Sequence, residues 1–226
     1  MYHTMMTSMP HYVIDFDSTL VSLESLGLLA DIALKDDPKK DEKITRIKDI
    51  TERGMNGEIS FTESLGERLA LLSLKTRHVE EVKKLVQQYI SPSAFRNKAW
   101  FTAHAPFIYV ISGGFKEIIL PVTNLLGLAA DHVYANTFVV DQHDVISGCD
   151  PQNLLAQEKG KERQARALGI MGEIIIVGDG MTDYEMKGAY PQAKFLYFAE
   201  HIQREKVMAL ADGVLDSFDV LCSSDT

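Results

Sequence analysis

Apolar residues along this chain fall into short unbroken runs separated by stretches with helical spacing. Strand-like runs occur at 11–16, 107–111, 132–135, 137–141, 173–178 and 194–198, several followed by helical patterns. That alternation predicts an α/β fold with a mainly parallel sheet and flanking helices. Residues 21–106, between the first two runs, read almost wholly as helix. Asp37-Pro38 has the form of an N-cap with Pro at the first helical position, after which Ile44, Ile47, Thr51 and Met55 keep one face until Gly54 weakens the pattern. "SFTE" at 60–63 is a capping box opening a helix with Phe61, Leu65, Leu69 and Leu72 on its apolar face. Val79, Val82, Val86 and Tyr89 mark another. Together they predict a small helical bundle, a cap at 21–91, inserted after the first strand into a core built from 1–20 and 92–226. Neither an internal repeat nor a low-complexity segment interrupts this pattern.

Composition narrows the class. At 226 residues the chain can fill one core plus an accessory domain, and 46% hydrophobic with 24% charged residues is a globular balance. The longest apolar runs, "PFIYVI" and "EIIIVG", are far below the roughly 20 residues of a membrane span. The opening "MYHTMMTSMP" has no Lys or Arg and no apolar stretch of signal-peptide length, so cytoplasm is the expected location. Cys149 and Cys222 stand far apart without a CxxC partner and read as reduced thiols. Asp and Glu outnumber Lys and Arg 32 to 23, for a net charge of -9, which disfavours nucleic acid as a partner. A small anion in a locally positive pocket is compatible with that charge. The seven histidines show neither HxH nor HExxH spacing, which argues against zinc.

The chemistry concentrates where strands end. In "YVIDFDSTL" an apolar run drives into Asp15 and Asp17, two carboxylates separated by one phenylalanine at the end of the strand. Such a pair suits phosphoryl transfer, one carboxylate attacking and the other handling protons; it also suits a turn that closes a strand. "VISGGF" ends a strand on Ser112-Gly113-Gly114 before a helix-forming run, an arrangement that cradles phosphate or makes an ordinary Gly-rich turn. "IIIVGDGMTDYEM" ends on Asp179 between Gly178 and Gly180, with Thr182-Asp183-Tyr184-Glu185 reading as a capping box. A carboxylate at the end of a buried strand demands a cation or donors. With Asp15 and the Asp17 carbonyl, Asp179 offers the hard oxygen ligands that Mg²⁺ prefers. "QEKGKERQA" brings Lys159 and Lys161, able to offset phosphate charge or to sit on a solvated helix start.

Taken in order, DFDST, SGG, KG and GDGxTD resemble the four motifs of the haloacid dehalogenase superfamily of phosphohydrolases. "DFDSTLVSLE", "MNGEISFTESLGERLALL", "VISGGF", "KGK" and "VGDGMTD" are similar to the phosphoserine phosphatase family within it, from about Tyr12 to beyond Asp183. The resemblance implies a Rossmannoid parallel core with a helical cap, Mg²⁺ as cofactor, and O-phospho-L-serine as substrate in the last step of serine biosynthesis. It implies Asp15 as nucleophile, Asp17 as general acid/base, and Ser112 and Lys159 holding the phosphate. Asp15, Asp17 and Asp179 would ligate the metal, supported by Asp183, with Gly113 and Thr182 lining the phosphate pocket. In the cap, Glu24 would meet the serine ammonium and Arg68 its carboxylate, with Met55 and Phe61 shielding the site.

Two other readings share these residues: a phosphatase or phosphotransferase for another small phosphomonoester, and a signalling module switched by phosphoaspartate. Receiver-type signalling modules lack DxD and a large helical insert after the first strand. Glu24 and Met55 are 31 residues apart, a longer interval than the family resemblance leads one to expect, with the surplus around "LKDDPKKDEK". A longer segment there bears on the cap entrance and so on substrate choice.

Overall fold

The run Tyr12-Val13-Ile14 forms the centre of strand β1 (His11–Ile14), buried on both faces. Tyr12 and Ile14 face one apolar cluster and Val13 the other, the period-two alternation of a strand covered by helices on both sides. The structure is a computed structural model describing residues 9–55 and 58–223, with the side chains of Gly54, Met55 and Phe61 outside that description.

After β1 come helices α1 (Ser25–Ala33), α2 (Lys40–Met55), α3 (Phe61–Leu72), α4 (Thr76–Leu85), α5 (Pro92–Arg96) and α6 (Lys98–His104). Then follow β2 (Ile108–Phe115), α7 (Lys116–Leu125), β3 (Val133–Asn136), β4 (Phe138–Val140), β5 (Ile146–Cys149) and α8 (Gly160–Leu168). The chain ends with β6 (Ile174–Gly178), α9 (Met181–Tyr184), β7 (Lys194–Phe198), α10 (Glu205–Met208), β8 (Gly213–Leu215) and α11 (Phe218–Ser223). Six strands form one parallel sheet in the order β3-β2-β1-β6-β7-β8. The winding direction reverses at β1, so the crevice at the carboxyl ends of β1, β2 and β6 is where such a sheet takes a ligand. Registers Ile14↔Val110 and Ile14↔Val177 bring Asp15, Ser112 and Asp179 to the same edge.

The helical segment leaves and rejoins the core at one place. Val21 bridges Ile90 in antiparallel fashion, Ser22 N–H donates to Tyr89 O at 2.8 Å, and Ser91 N–H donates to Leu20 O at 2.9 Å. Leu29, Leu65, Leu69, Val79 and Val82 bury the apolar stripes that the spacing marks, giving a helical cap region over the Rossmannoid sheet.

Three local features differ from the pattern-based expectation. The run at 137–141 lies outside the parallel sheet: β4 pairs antiparallel with β5, a hairpin whose tip meets the helices through Ile146 N–H to Leu74 O (3.0 Å) and Thr76 N–H to Asp144 O (3.1 Å). Helix α2 begins at Lys40, because Asp37 first closes a turn, its Oδ1 accepting Lys39 N–H at 2.8 Å and its Oδ2 pairing with Lys43 at 2.7 Å. Helix α9 opens one residue before Thr182, with Gly180 as its cap and the Gly180 N–H donating to Asp183 Oδ2 at 2.9 Å. At 60–63 Ser60 does cap α3, its Oγ accepting Glu63 N–H at 3.1 Å.

Candidate active site

Asp15 follows the last residue of β1, and its N–H donates to Val177 O on the neighbouring strand at 2.9 Å. This fixes the backbone at the sheet edge, and Asp15 is buried there. Asp179 and Asp183 come from the end of β6 and from α9, and both are buried. One carboxylate oxygen from each of Asp15, Asp179 and Asp183 lies within 4.8 Å of the others. Three buried carboxylates so close repel one another unless cations intervene. Two side-chain cations do. Lys161 Nζ lies 2.6 Å from Asp15 Oδ1 and 2.7 Å from Asp183 Oδ1, and Arg204 Nη1 pairs with Asp179 Oδ2.

The proton affinities follow from these surroundings. Burial, then Asp183, raise the Asp15 carboxyl from its ordinary 3.8 to about 7, with Lys161 pulling the other way. Burial works against the Lys161 ammonium, yet the two carboxylates outweigh it and hold the amine above its ordinary value. Burial also pushes the Asp17 carboxyl well up, reinforced by Glu24 and Asp15. Asp17 turns away from the three-carboxylate cluster toward α1, where Ser25 N–H donates to Oδ1 at 2.9 Å and Ser25 Oγ to Oδ2 at 3.1 Å. A carboxyl whose proton affinity is raised in this way is better suited to hold a proton for acid/base work than an exposed one.

Between Asp15 and the helices lies a cavity of about 770 Å³, lined by Asp15, Asp17, Glu24, Arg68, Ser112, Gly113, Lys159, Asp179, Thr182 and Asp183 among others. The sequence expectations for Met55 and Phe61 fall on side chains outside the described residues. On the core side Ser112 is buried and accepts the Gly114 N–H at 3.0 Å. On the helical side Glu24 precedes α1, held by the Ser18 hydroxyl at 3.0 Å, and Arg68 on α3 donates through Nε to Ser64 O at 3.2 Å. Burial lowers the Arg68 guanidinium somewhat while Glu24 and Asp17 raise it, and a partly buried cation facing a cavity is poised for an anion.

The two neighbouring lysines part company. Lys161 is buried at Asp15; Lys159 lines the same cavity with its side chain 68% exposed and 3.8 Å from Glu162. Lys159 has left-handed backbone (φ 54°) just before α8, and Gly160 packs so closely on Leu154 O and Leu155 that a Cβ there would lie 2.7 Å from the carbonyl. This sharp entry sends the two ammonium groups apart.

Four residues escaped the motif reading. Ser25 binds Asp17, Thr19 Oγ1 donates to Asp179 Oδ1 at 3.5 Å, and Arg204 spans Asp179 and Glu24, its Nη2 lying 3.9 Å from Glu24 Oε1. Buried Asn136 donates to Gly113 O at 2.9 Å and Leu155 O at 3.3 Å, tying the Ser112 loop to the approach to α8. For Arg204 and Asn136 the sequence carries no local signal, since each acts on segments remote in the chain.

Comparison with known proteins is consistent with this geometry. The family model for haloacid dehalogenase-like hydrolases matches residues 12–187. The chain is 27% identical over 207 residues to a human protein named phosphoserine phosphatase, covering 90% of this chain and 88% of that one. It is 29% identical over 177 residues to the chloroplastic phosphoserine phosphatase of Arabidopsis thaliana, 77% of this chain and 60% of that protein's length. A crystal structure of a phosphoserine phosphohydrolase-like protein from Francisella tularensis superposes with a TM-score of 0.81 at 31% identity, covering 96% of this chain and all (100%) of that one.

Proposed function

Because the chain belongs to the haloacid dehalogenase-like hydrolases, we propose that it is a Mg²⁺-dependent phosphomonoesterase converting O-phospho-L-serine to serine and phosphate through an aspartyl-phosphate at Asp15. The observation that carries the reading is one cavity holding a buried carboxylate with a cation at 2.6 Å, a second carboxylate of raised proton affinity, and Glu24 with Arg68 on the opposite wall. That wall offers one anion and one cation, the complement of an amino acid's ammonium and carboxylate. The similarity to phosphoserine phosphatases supports the same substrate.

The donor set fits the metal. Asp15, Asp179 and Asp183 present hard carboxylate oxygens and no imidazole or thiolate, which favours Mg²⁺ over zinc or copper. Asp15 and Asp179, with the Asp17 carbonyl, would hold the ion and Asp183 would support it; bound there, Mg²⁺ neutralises charge on the phosphoryl oxygens.

In the first step an Asp15 carboxylate oxygen attacks phosphorus and the bond from phosphorus to the serine oxygen breaks. Asp17 delivers its proton to that oxygen, so serine leaves as an alcohol. Lys161 stabilises the ionised form of Asp15 before attack. Ser112, Gly113, Thr182 and Lys159 border the phosphoryl position, and Lys159, at the open side, attracts the incoming dianion. In the second step Asp17 takes a proton from water, which attacks the aspartyl-phosphate and releases phosphate. Met55 and Phe61 complete the roles assigned from the family resemblance, as a shield over the site.

The domain division belongs to the same reading, with a cap of residues 21–91 on a core of 1–20 and 92–226, meeting at the Val21–Ile90 bridge. So do a cytoplasmic location, a place in serine biosynthesis, and a small-molecule substrate rather than nucleic acid. Among the described residues no helix is long and apolar enough to cross a membrane. Phosphate release from a panel of phosphate esters, with and without Mg²⁺ and added alcohol acceptors, tests the assignment. Metal-dependent preference for phosphoserine is expected; equal rates on esters lacking the amino-acid group would overturn the substrate, and transfer to alcohols in place of release would make it a phosphotransferase.

A further inference from the structure

Ser25 is 1% exposed, yet its hydroxyl lies at the heart of the polar site. It is the first residue of α1, where a backbone N–H has no partner within the helix. That N–H donates to Asp17 Oδ1 at 2.9 Å, and the hydroxyl of the same residue donates to Oδ2 at 3.1 Å. Both oxygens of one carboxyl are therefore addressed by a single residue. Gly114 makes room for this: a Cβ there would lie 3.3 Å from Ser25 Oγ, 3.2 Å from Ser112 Oγ and 3.5 Å from Asp17 Oδ2.

We infer that Ser25 is a positioning residue for the proton transfer, acting through Asp17, an inference that rests on the hydrolase reading above. An oxygen accepting an N–H bond is the carbonyl oxygen of a protonated carboxyl, because an N–H can only donate. Oδ1 is thereby committed, and Oδ2, whose Ser25 partner is a hydroxyl able to accept as well as donate, is left to carry the proton. As the phosphorus–oxygen bond of the ester breaks, the proton moves from Oδ2 to the departing alkoxide and the electron pair left on Oδ2 is met by the Ser25 hydroxyl. In the second step the same hydroxyl yields as Oδ2 takes a proton from water. Since α1 is the first helix after the chain leaves the core, the acid is aligned only when that helix is docked.

The test compares kcat/KM, which reports the first chemical step, for two esters. Phosphoserine expels a poor leaving group that needs the proton; p-nitrophenyl phosphate expels a good one that does not. Ser25→Ala is expected to lower kcat/KM for phosphoserine by roughly tenfold or more, within the range of general-acid effects, and for the aryl ester by less than about threefold. Ser25→Thr, which keeps the hydroxyl, should recover most of the phosphoserine loss. Should Ser25→Ala not fold, the same ratio is read on Ser25→Gly, which keeps the N–H and lacks the hydroxyl. Equal losses on both esters, or no recovery with threonine, would overturn the role of Ser25 while leaving the hydrolase reading in place. A wild-type chain inert toward both esters would overturn the hydrolase reading and this inference with it.

Discussion

The Lys161 ammonium stands 2.6 Å from Asp15 Oδ1, with both side chains 9% exposed, while Lys159, two residues earlier, keeps its side chain 68% exposed. Two lysines that look equivalent in "EKGKE" thus meet the site from different depths.

Their substitutions should separate accordingly. Lys161→Ala leaves Asp15 and Asp183 buried beside each other without their shared cation, a change that costs about 3–5 kcal/mol when one partner of a buried pair is removed. Turnover should fall by at least roughly 10²-fold, the scale of losing a preorganised charge at the reacting centre. Lys159→Ala should raise KM several-fold with kcat within about threefold, the pattern of lost ground-state binding. Steady-state kinetics and thermal unfolding of both variants check this, and the reverse ranking would exchange their roles.

Arg68 faces the cavity from α3. Arg68→Ala should weaken phosphoserine binding by about 1.5–3 kcal/mol for each charged hydrogen bond lost. Phosphoethanolamine, which has the ammonium but no carboxylate, should be little affected; an equal loss on both esters would remove the carboxylate from this arginine.

Gly178, the last residue of β6, packs against Asp183 so closely that a Cβ would lie 2.3 Å from Asp183 Cγ. Gly178→Ala should therefore displace Asp183 from Lys161, destabilising the fold by about 1–3 kcal/mol, as overpacking does, and suppressing turnover. Unchanged unfolding and unchanged kinetics would contradict the contact.

Stability should depend on pH and metal together. The folded Asp15 carboxyl, raised to about 7, binds its proton more tightly than in the unfolded chain, where 3.8 applies. Its contribution to stability is thus present below the unfolded value and lost as pH rises through about 7. Asp17, raised in the same direction, adds to the trend. In chelator the thermal midpoint should decrease as pH rises from about 5 to about 8, and Mg²⁺ should restore more of it at the upper end. A flat profile in chelator would show that these carboxyls are not raised in solution.

What the sequence made legible is what strands do to acids. An apolar run that ends on a carboxylate or on Ser-Gly-Gly can be seen without a structure, and Asp15, Ser112 and Asp179 converge because the register of β1 with its neighbours leaves no other place for them. The run at 137–141 misled because a hairpin strand and a sheet strand share the same local pattern; only partners distinguish them. Ser25 was hidden in "SLESLGLLA", where nothing local marks a serine whose partner is eight residues back around a turn. Lys161 was obscured by Gly160 and the left-handed Lys159, which together set the direction of each side chain and leave no trace in the spacing.

The most direct test is to incubate the protein with phosphoserine and Mg²⁺, quench in acid, and locate the phosphoryl group by mass spectrometry of the peptides. The account predicts one phosphoryl group on the peptide containing Asp15, lost on mild base treatment and absent from Asp15→Asn, which should also have no turnover. Phosphorylation elsewhere, or substantial hydrolysis by Asp15→Asn, would contradict it.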